Sequence, residues 1–87
     1  MKTDIQIRTE IRQFVVENFL MGDAASMLED HRSFLDNGTI DSTGVLEVVM
    51  FLESNFGFKV EDRELLPGNI DSVDNQVNYV LRKQNAA

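Results

Sequence analysis

The spacing of the apolar residues constrains this chain most: they recur at three- and four-residue intervals, and no run sustains the two-residue alternation of a strand. Ile7, Ile11, Phe14, Val15 and Phe19 fall on one stripe, while Arg8, Glu10, Arg12 and Glu17 lie off it. Thr3 followed by Gln6 fits a capping box, in which hydroxyl and amide each satisfy an orphan backbone N–H. These signals predict a helix over residues 4–21, stopped at Gly22. A denser apolar segment over residues 45–56 follows Asp41 and Ser42, both good N-cap types, and Gly57 closes it. At about 100° per residue, Val45, Val48, Val49, Leu52 and Phe56 share one sector, the expected core face. Leu46 and Met50 fall outside that sector, clustered with Thr43, Glu47 and Ser54.

Two shorter signals complete the pattern. Residues 60–66 are expected to form a short third helix, with Glu61 and Asp62 near its start and Pro67-Gly68 forcing its end. Asp71 or Ser72 then caps a fourth helix carrying Val73, Val77, Val80 and Leu81, with Arg82 and Lys83 near the end that favours cations. Residues 85–87 should fray. Residues 22–41 hold too many Gly, Asp and Asn for one helix and predict a long loop, with a short turn around 24–28. Met27, Leu28, Phe34, Leu35 and Ile40 are its candidate anchors to the core, and loops of this length are usually functional or mobile. The expected architecture is an all-α four-helix bundle with a long first loop and a short third helix, one domain over residues 1–87.

Composition narrows the function. The 87 residues include no Cys, so neither disulfides nor thiolate metal sites can support the small core. The net charge of −7 opposes nucleic acid and anionic lipid as partners. Residues 36–74 alone carry nine acids against two bases, so a partner that senses charge should bring Lys and Arg to that segment. Glu17 and Asn18 interrupt the apolar residues near the amino terminus, which predicts no signal-peptide core. The longest apolar run, 48–52, is far too short to span a bilayer. A cytoplasmic monomer is the expectation.

Catalytic and metal signals are weak. His31, the only histidine, sits in the long loop between Asp30 and Arg32, where a solvated surface role is the ordinary reading. A Ser42–His31 dyad would lack a third group and an oxyanion site. Asp36-Asn37-Gly38 superficially suggests a calcium loop, but with Gly38 at the invariant position the ligand positions fall on Ser33, Leu35 and Gly44, which lack the required ligands. No catalytic residue and no metal site is assigned.

The stretch from Gly38 to Glu47 differs. A serine stands at the mouth of a helix, preceded by a polar loop and an aspartate, and followed by an acidic outer face with apolar inserts. On chemistry alone Ser42 is either a plain cap or a presented hydroxyl.

At these residues the sequence resembles the acyl carrier protein family, whose helical domain carries an Asp-Ser-Leu motif at the start of its second helix. The resemblance covers nearly the whole chain: the first helix, the long loop, Asp41-Ser42, the 45–56 helix with Glu47, Met50 and Glu53, the Phe56-Gly57 exit and the closing helix. It implies a non-catalytic carrier in which the Ser42 hydroxyl, next to Asp41, is esterified with 4′-phosphopantetheine transferred from coenzyme A by a phosphopantetheinyl transferase. The arm would hold acyl cargo as a thioester, supplying the sulfur this chain lacks. Glu47 and Glu53 would meet basic patches on a loading ligase and on downstream transferases or synthases, with Thr43 beside the arm and Leu46 and Met50 as apolar contacts. Thr43 and Gly44 replace the family's usual Leu and Asp, which fits a specialised carrier serving a dedicated ligase or a secondary-metabolite or lipid pathway better than the general fatty-acid carrier. Two alternatives stay open: an aminoacyl or peptidyl carrier for a dedicated ligase, and an unmodified acidic helical interaction domain.

Overall fold

The computed structural model describes residues 1–86 and contains, in chain order, helices α1 (Asp4–Phe19), α2 (Gly44–Phe56), α3 (Pro67–Ile70) and α4 (Val73–Asn85). All regular structure among the described residues is helical, so the expected all-α bundle with a long first loop is what forms. Of the stretch expected to fray, Asn85 still belongs to α4, and Ala87 lies outside the described residues.

Local signals set the start of α1. The Gln6 N–H donates to Thr3 Oγ1 at 3.3 Å and the Thr3 N–H to Gln6 Oε1 at 2.9 Å, the reciprocal capping box. The chain leaves α1 through Met21 and Gly22, both left-handed, with φ 54° and 83°. Ile7, Ile11 and Val15 are fully buried and pack α1 against α4, whose Val73, Val77, Tyr79 and Val80 are buried in turn. From α2 the core takes Val48 and Leu52, with Val49 and Phe56 half-buried beside them. Burying each such aliphatic side chain contributes about 1.5–3 kcal/mol, so this apolar seam dominates the stability of a chain without cross-links.

The first loop is held by polar bonds from both ends of the molecule. The Arg8 guanidinium donates to Asp4, Asp30 and Asp74, and Arg12 pairs with Asp30 and donates to the Leu28 carbonyl at 3.2 Å. Those carboxylates raise Arg8 above its ordinary range, Asp4 most. Further along, the Asp71 carboxylate accepts the Leu35 N–H at 2.9 Å and the Ser33 hydroxyl, and its carbonyl accepts the Phe34 N–H at 2.8 Å. Phe34 and Ile40 are buried and Met27 and Leu28 partly so, but Leu35, expected as an anchor, is 41% exposed. Its backbone is pinned by Asp71 while its side chain faces outward. Within the loop a single 3-10 turn spans Ala24–Ser26, capped by Asp23.

The third helix is not where the sequence put it. Residues 60–66 form no α-helix: Val60 is buried outside any helix, Glu61 is extended, and a 3-10 turn covers Asp62–Glu64. Pro67 begins α3 instead of ending a helix, because its fixed φ and missing N–H suit the first helical position as well as a stop. Glu64 ties this segment to α4. Its Oε1 accepts from Lys83 Nζ at 2.9 Å, Tyr79 Oη at 3.0 Å and the Glu61 N–H at 3.1 Å, and these donors, Lys83 foremost, hold its carboxyl below the usual range. Burial, then Glu64, raises the Tyr79 phenol in turn. One turn earlier on α4, buried Gln76 donates to the Ile70 carbonyl at 2.8 Å and Asn75 to that of Pro67 at 3.1 Å, fixing α3 against α4.

Candidate functional site

Asp41 starts α2. Its carbonyl accepts the Val45 N–H at 3.2 Å and its Oδ1 accepts the Gly44 N–H at 2.8 Å, so it satisfies two orphan donors of the first turn. Thr43, with φ −72° and ψ −40°, is already helical and makes no side-chain cap bond. Of the two cap candidates, aspartate is therefore the one used. Ser42 is exposed, and its hydroxyl makes no hydrogen bond among the described residues. A serine one place inside the cap has its side chain directed to solvent with no structural duty.

Gly44 explains how α2 enters so close to the rest of the bundle. It is buried, and a Cβ there would lie 2.8 Å from Phe19 Cε1 and 3.0 Å from Ile40 Cγ2. The close approach that compensates a helical glycine comes from the chain's own Phe19 and Ile40, not from a partner, and a larger residue at position 44 would meet that packing before reaching solvent.

Beside Ser42 lies an open groove of about 230 Å³ lined by Leu35, Val45, Leu65, Pro67 and Ile70. Behind it a gap of about 10 Å³, walled by Phe34, Ile40 and Val48 and sharing Leu35, Val45 and Ile70 with the groove, leads toward the core. Leu66, next in sequence to the groove residue Leu65, is 55% exposed. Leu35, Pro67 and Ile70 were not legible as groove residues, since Leu35 reads as a core anchor and Pro67 as a helix stop. The apolar Ile70 immediately before the capping Asp71-Ser72 pair was the only hint.

Just before and along α2, Thr43, Leu46, Glu47 and Met50 are exposed, with Leu46 at 64% and Met50 at 69%, so two large apolar side chains flank a carboxylate that has no ion-pair partner among the described residues. Glu53 differs from Glu47. It is half-buried and its Oε2 accepts the Val60 N–H at 2.9 Å, which anchors the segment after α2. His31 is exposed in the first loop, and no group of three or more potential metal ligands occurs among the described residues.

Together, a cap made by Asp41, an apolar groove beside it and an acidic, apolar-studded helix leading away surround one exposed, uncommitted serine in a small helical module. Compared with curated proteins, the chain is 32% identical over 63 residues to the acyl carrier protein of Acidothermus cellulolyticus, covering 72% of this chain and 73% of that one. It is 29% identical over 83 residues to that of Petrotoga mobilis (95% and 93% covered) and 24% identical over 79 residues to that of Chloroherpeton thalassium (91% and 94% covered). No family model matches the chain. No solved structure matches it significantly. The chain belongs to the acyl carrier protein family, as a divergent member.

Proposed function

We propose that Ser42 carries a 4′-phosphopantetheine arm and that the chain holds acyl groups on it as thioesters for presentation to partner enzymes. The observation that carries this reading is the division of labour at the start of α2: Asp41 makes the cap bonds, and the Ser42 hydroxyl is exposed and uncommitted. A serine that served only as a cap would hold the Gly44 or Val45 N–H itself. The residues fit the group. The hydroxyl is free to be esterified, the first turn of α2 is a favourable place for a phosphodiester anion, and the adjoining groove of about 230 Å³ is lined by aliphatic side chains. The arm supplies a terminal thiol, which this Cys-free chain lacks.

In this reading the chain is the substrate of other enzymes. A phosphopantetheinyl transferase would load Ser42, a ligase would attach the cargo, and downstream transferases or synthases would dock on α2. Glu47 would steer basic patches through long-range attraction, and Leu46 and Met50 would set residence by apolar contact. The groove favours acyl over aminoacyl cargo, because apolar chains gain from contact with Leu35, Val45, Leu65 and Ile70 whereas a short charged group does not. A specialised carrier fits the replacements at Thr43 and Gly44, since both alter the first turn beside the arm.

Loading tests the proposal. Incubation with coenzyme A, magnesium and a phosphopantetheinyl transferase should add one phosphopantetheinyl group to the wild-type chain and none to Ser42→Ala, with the helical circular-dichroism signal nearly equal in both. Equal loading of the two proteins would overturn it.

A further inference from the structure

We propose that Asp71 limits the length of the apolar chain that the groove beside Ser42 accepts; the inference deepens the acyl reading of that groove. The lining comes from three parts of the chain: Leu35 from the first loop, Val45 from α2, and Leu65, Pro67 and Ile70 from around α3. Asp71, directly after Ile70, joins the first of these to the third. Its Oδ1 accepts the Leu35 N–H at 2.9 Å, its Oδ2 accepts the Ser33 hydroxyl, and its backbone carbonyl accepts the Phe34 N–H at 2.8 Å. Ser33 Oγ in turn accepts the Asp36 N–H at 3.0 Å, and the Phe34 carbonyl accepts the Thr39 N–H at 3.0 Å. Residues 33–39 therefore ride on Asp71 as one unit.

That unit supplies the stop. The gap behind the groove, walled by Phe34, Ile40 and Val48, measures about 10 Å³, at the lower limit for holding one water. A chain in the groove of about 230 Å³ cannot extend into it while Phe34, fully buried, keeps its place. Methylenes that fit the groove each gain about fourfold in affinity, and those that must stay outside gain nothing. Removing the Asp71 carboxylate releases Ser33 and Leu35 but leaves the Phe34 N–H on the backbone carbonyl, so the turn stays attached while its fixed spacing from Ile70 is lost. Gap and groove can then join. Asp71 is thus a positioning residue acting through Phe34 and Leu35. The Arg8 and Arg12 pairs with Asp30 hold the same loop at its other end, and none of these three residues lines the groove or the gap.

The test titrates the unmodified full chain with 1-butanol, 1-hexanol, 1-octanol and 1-decanol, followed by amide and methyl NMR shifts at Leu35, Val45 and Ile70. In the parent, affinity should rise about fourfold per methylene and level off before decanol. In Asp71→Ala, checked for helical content, it should still climb about sixteenfold from octanol to decanol, two methylenes at the same increment. Ser33→Ala, which loses one of the two carboxylate bonds and keeps the other, should move the limit in the same direction by less. Asp30→Asn, which loosens the far end of the loop, should keep the parent's limit even if it melts lower, which separates chain length from general stability. The proposal is overturned by an absence of saturable binding, by a parent that still climbs to decanol, or by the same limit in parent, Asp71→Ala and Ser33→Ala. A limit raised equally by Asp30→Asn overturns it as well. Because the alcohols need no arm on Ser42, failure here is separate from failure of the loading assay.

Discussion

Replacing Asp41 by Ala should destabilise the chain, and replacing Ser42 by Ala should not. Asp41 Oδ1 holds the Gly44 N–H at 2.8 Å, and removing a side-chain cap of this kind costs about 1 kcal/mol, within a range of roughly 0.5–2. Thr43 is already helical and makes no cap bond that could substitute. In an 87-residue chain, 1 kcal/mol lowers the melting temperature by roughly 4–8 °C. Ser42 has no bond to lose and is exposed, so Ser42→Ala should stay within the ±0.5 kcal/mol typical of surface changes. Thermal unfolding followed at 222 nm on the two variants and the parent measures both. A fall for Ser42→Ala as large as that for Asp41→Ala would make serine the functional cap and remove the main support for its availability.

Further consequences concern packing, pH and cargo. Gly44→Ala should lower the melting temperature by roughly 4–8 °C, because its Cβ would overlap Phe19 and Ile40 by enough to outweigh the better helix propensity; Gly68→Ala, with open space around it, should be neutral or mildly stabilising in the same scan. Glu10 and Glu64 have carboxyls held below their ordinary 4.5 by Lys2 and Lys83 respectively, so the stability they contribute is present above that pH and is lost as pH falls through their lower folded values. Denaturant titrations of Glu64→Gln should accordingly show a shallower loss of stability below about pH 4.5 than the parent. Tyr79→Phe should flatten the opposite limb, above pH 10.0, where the unfolded phenol ionises before the folded one. In a loaded carrier, two or three methylenes seated in the groove at about 0.8 kcal/mol each should raise the melting temperature by roughly 6–19 °C for a medium-length acyl chain, and aminoacyl cargo should produce little change; equal shifts for both cargoes would count against the groove.

Whatever depends on neighbours within one or two helical turns was legible in the sequence. The Thr3–Gln6 box, the Ile7–Ile11–Val15 stripe, the outward Leu46 and Met50 and the Gly57 stop all follow from spacing that a single helix fixes. What escaped depends on residues far apart in the chain. Asp71 reads as a helix cap, yet Ser72 accepts the Asn75 N–H while Asp71 serves Ser33 and Leu35, more than thirty residues away. Arg8 and Arg12 read as a solvated face, but they hold the first loop through Asp30 and Asp74. Pro67 carries two meanings, stop and first helical residue, and only packing on α4 selects between them. At the site, Asp41-Ser42 was visible as a motif, but which of the two caps α2 is a matter of backbone geometry that residue type does not decide.

A single hydroxyl, that of Ser42, is expected to take the phosphopantetheinyl group, and localising the modification on the loaded chain decides this. After loading, the region around α2 contains several other candidate hydroxyls, including Ser33, Thr39 and Thr43. Tandem mass spectrometry of peptides spanning residues 33–50 should place the whole added mass on Ser42 alone. Fragment ions that place it on Ser33, Thr39 or Thr43, or a chain that stays unmodified while a control carrier is loaded by the same transferase, would rule Ser42 out as the attachment site.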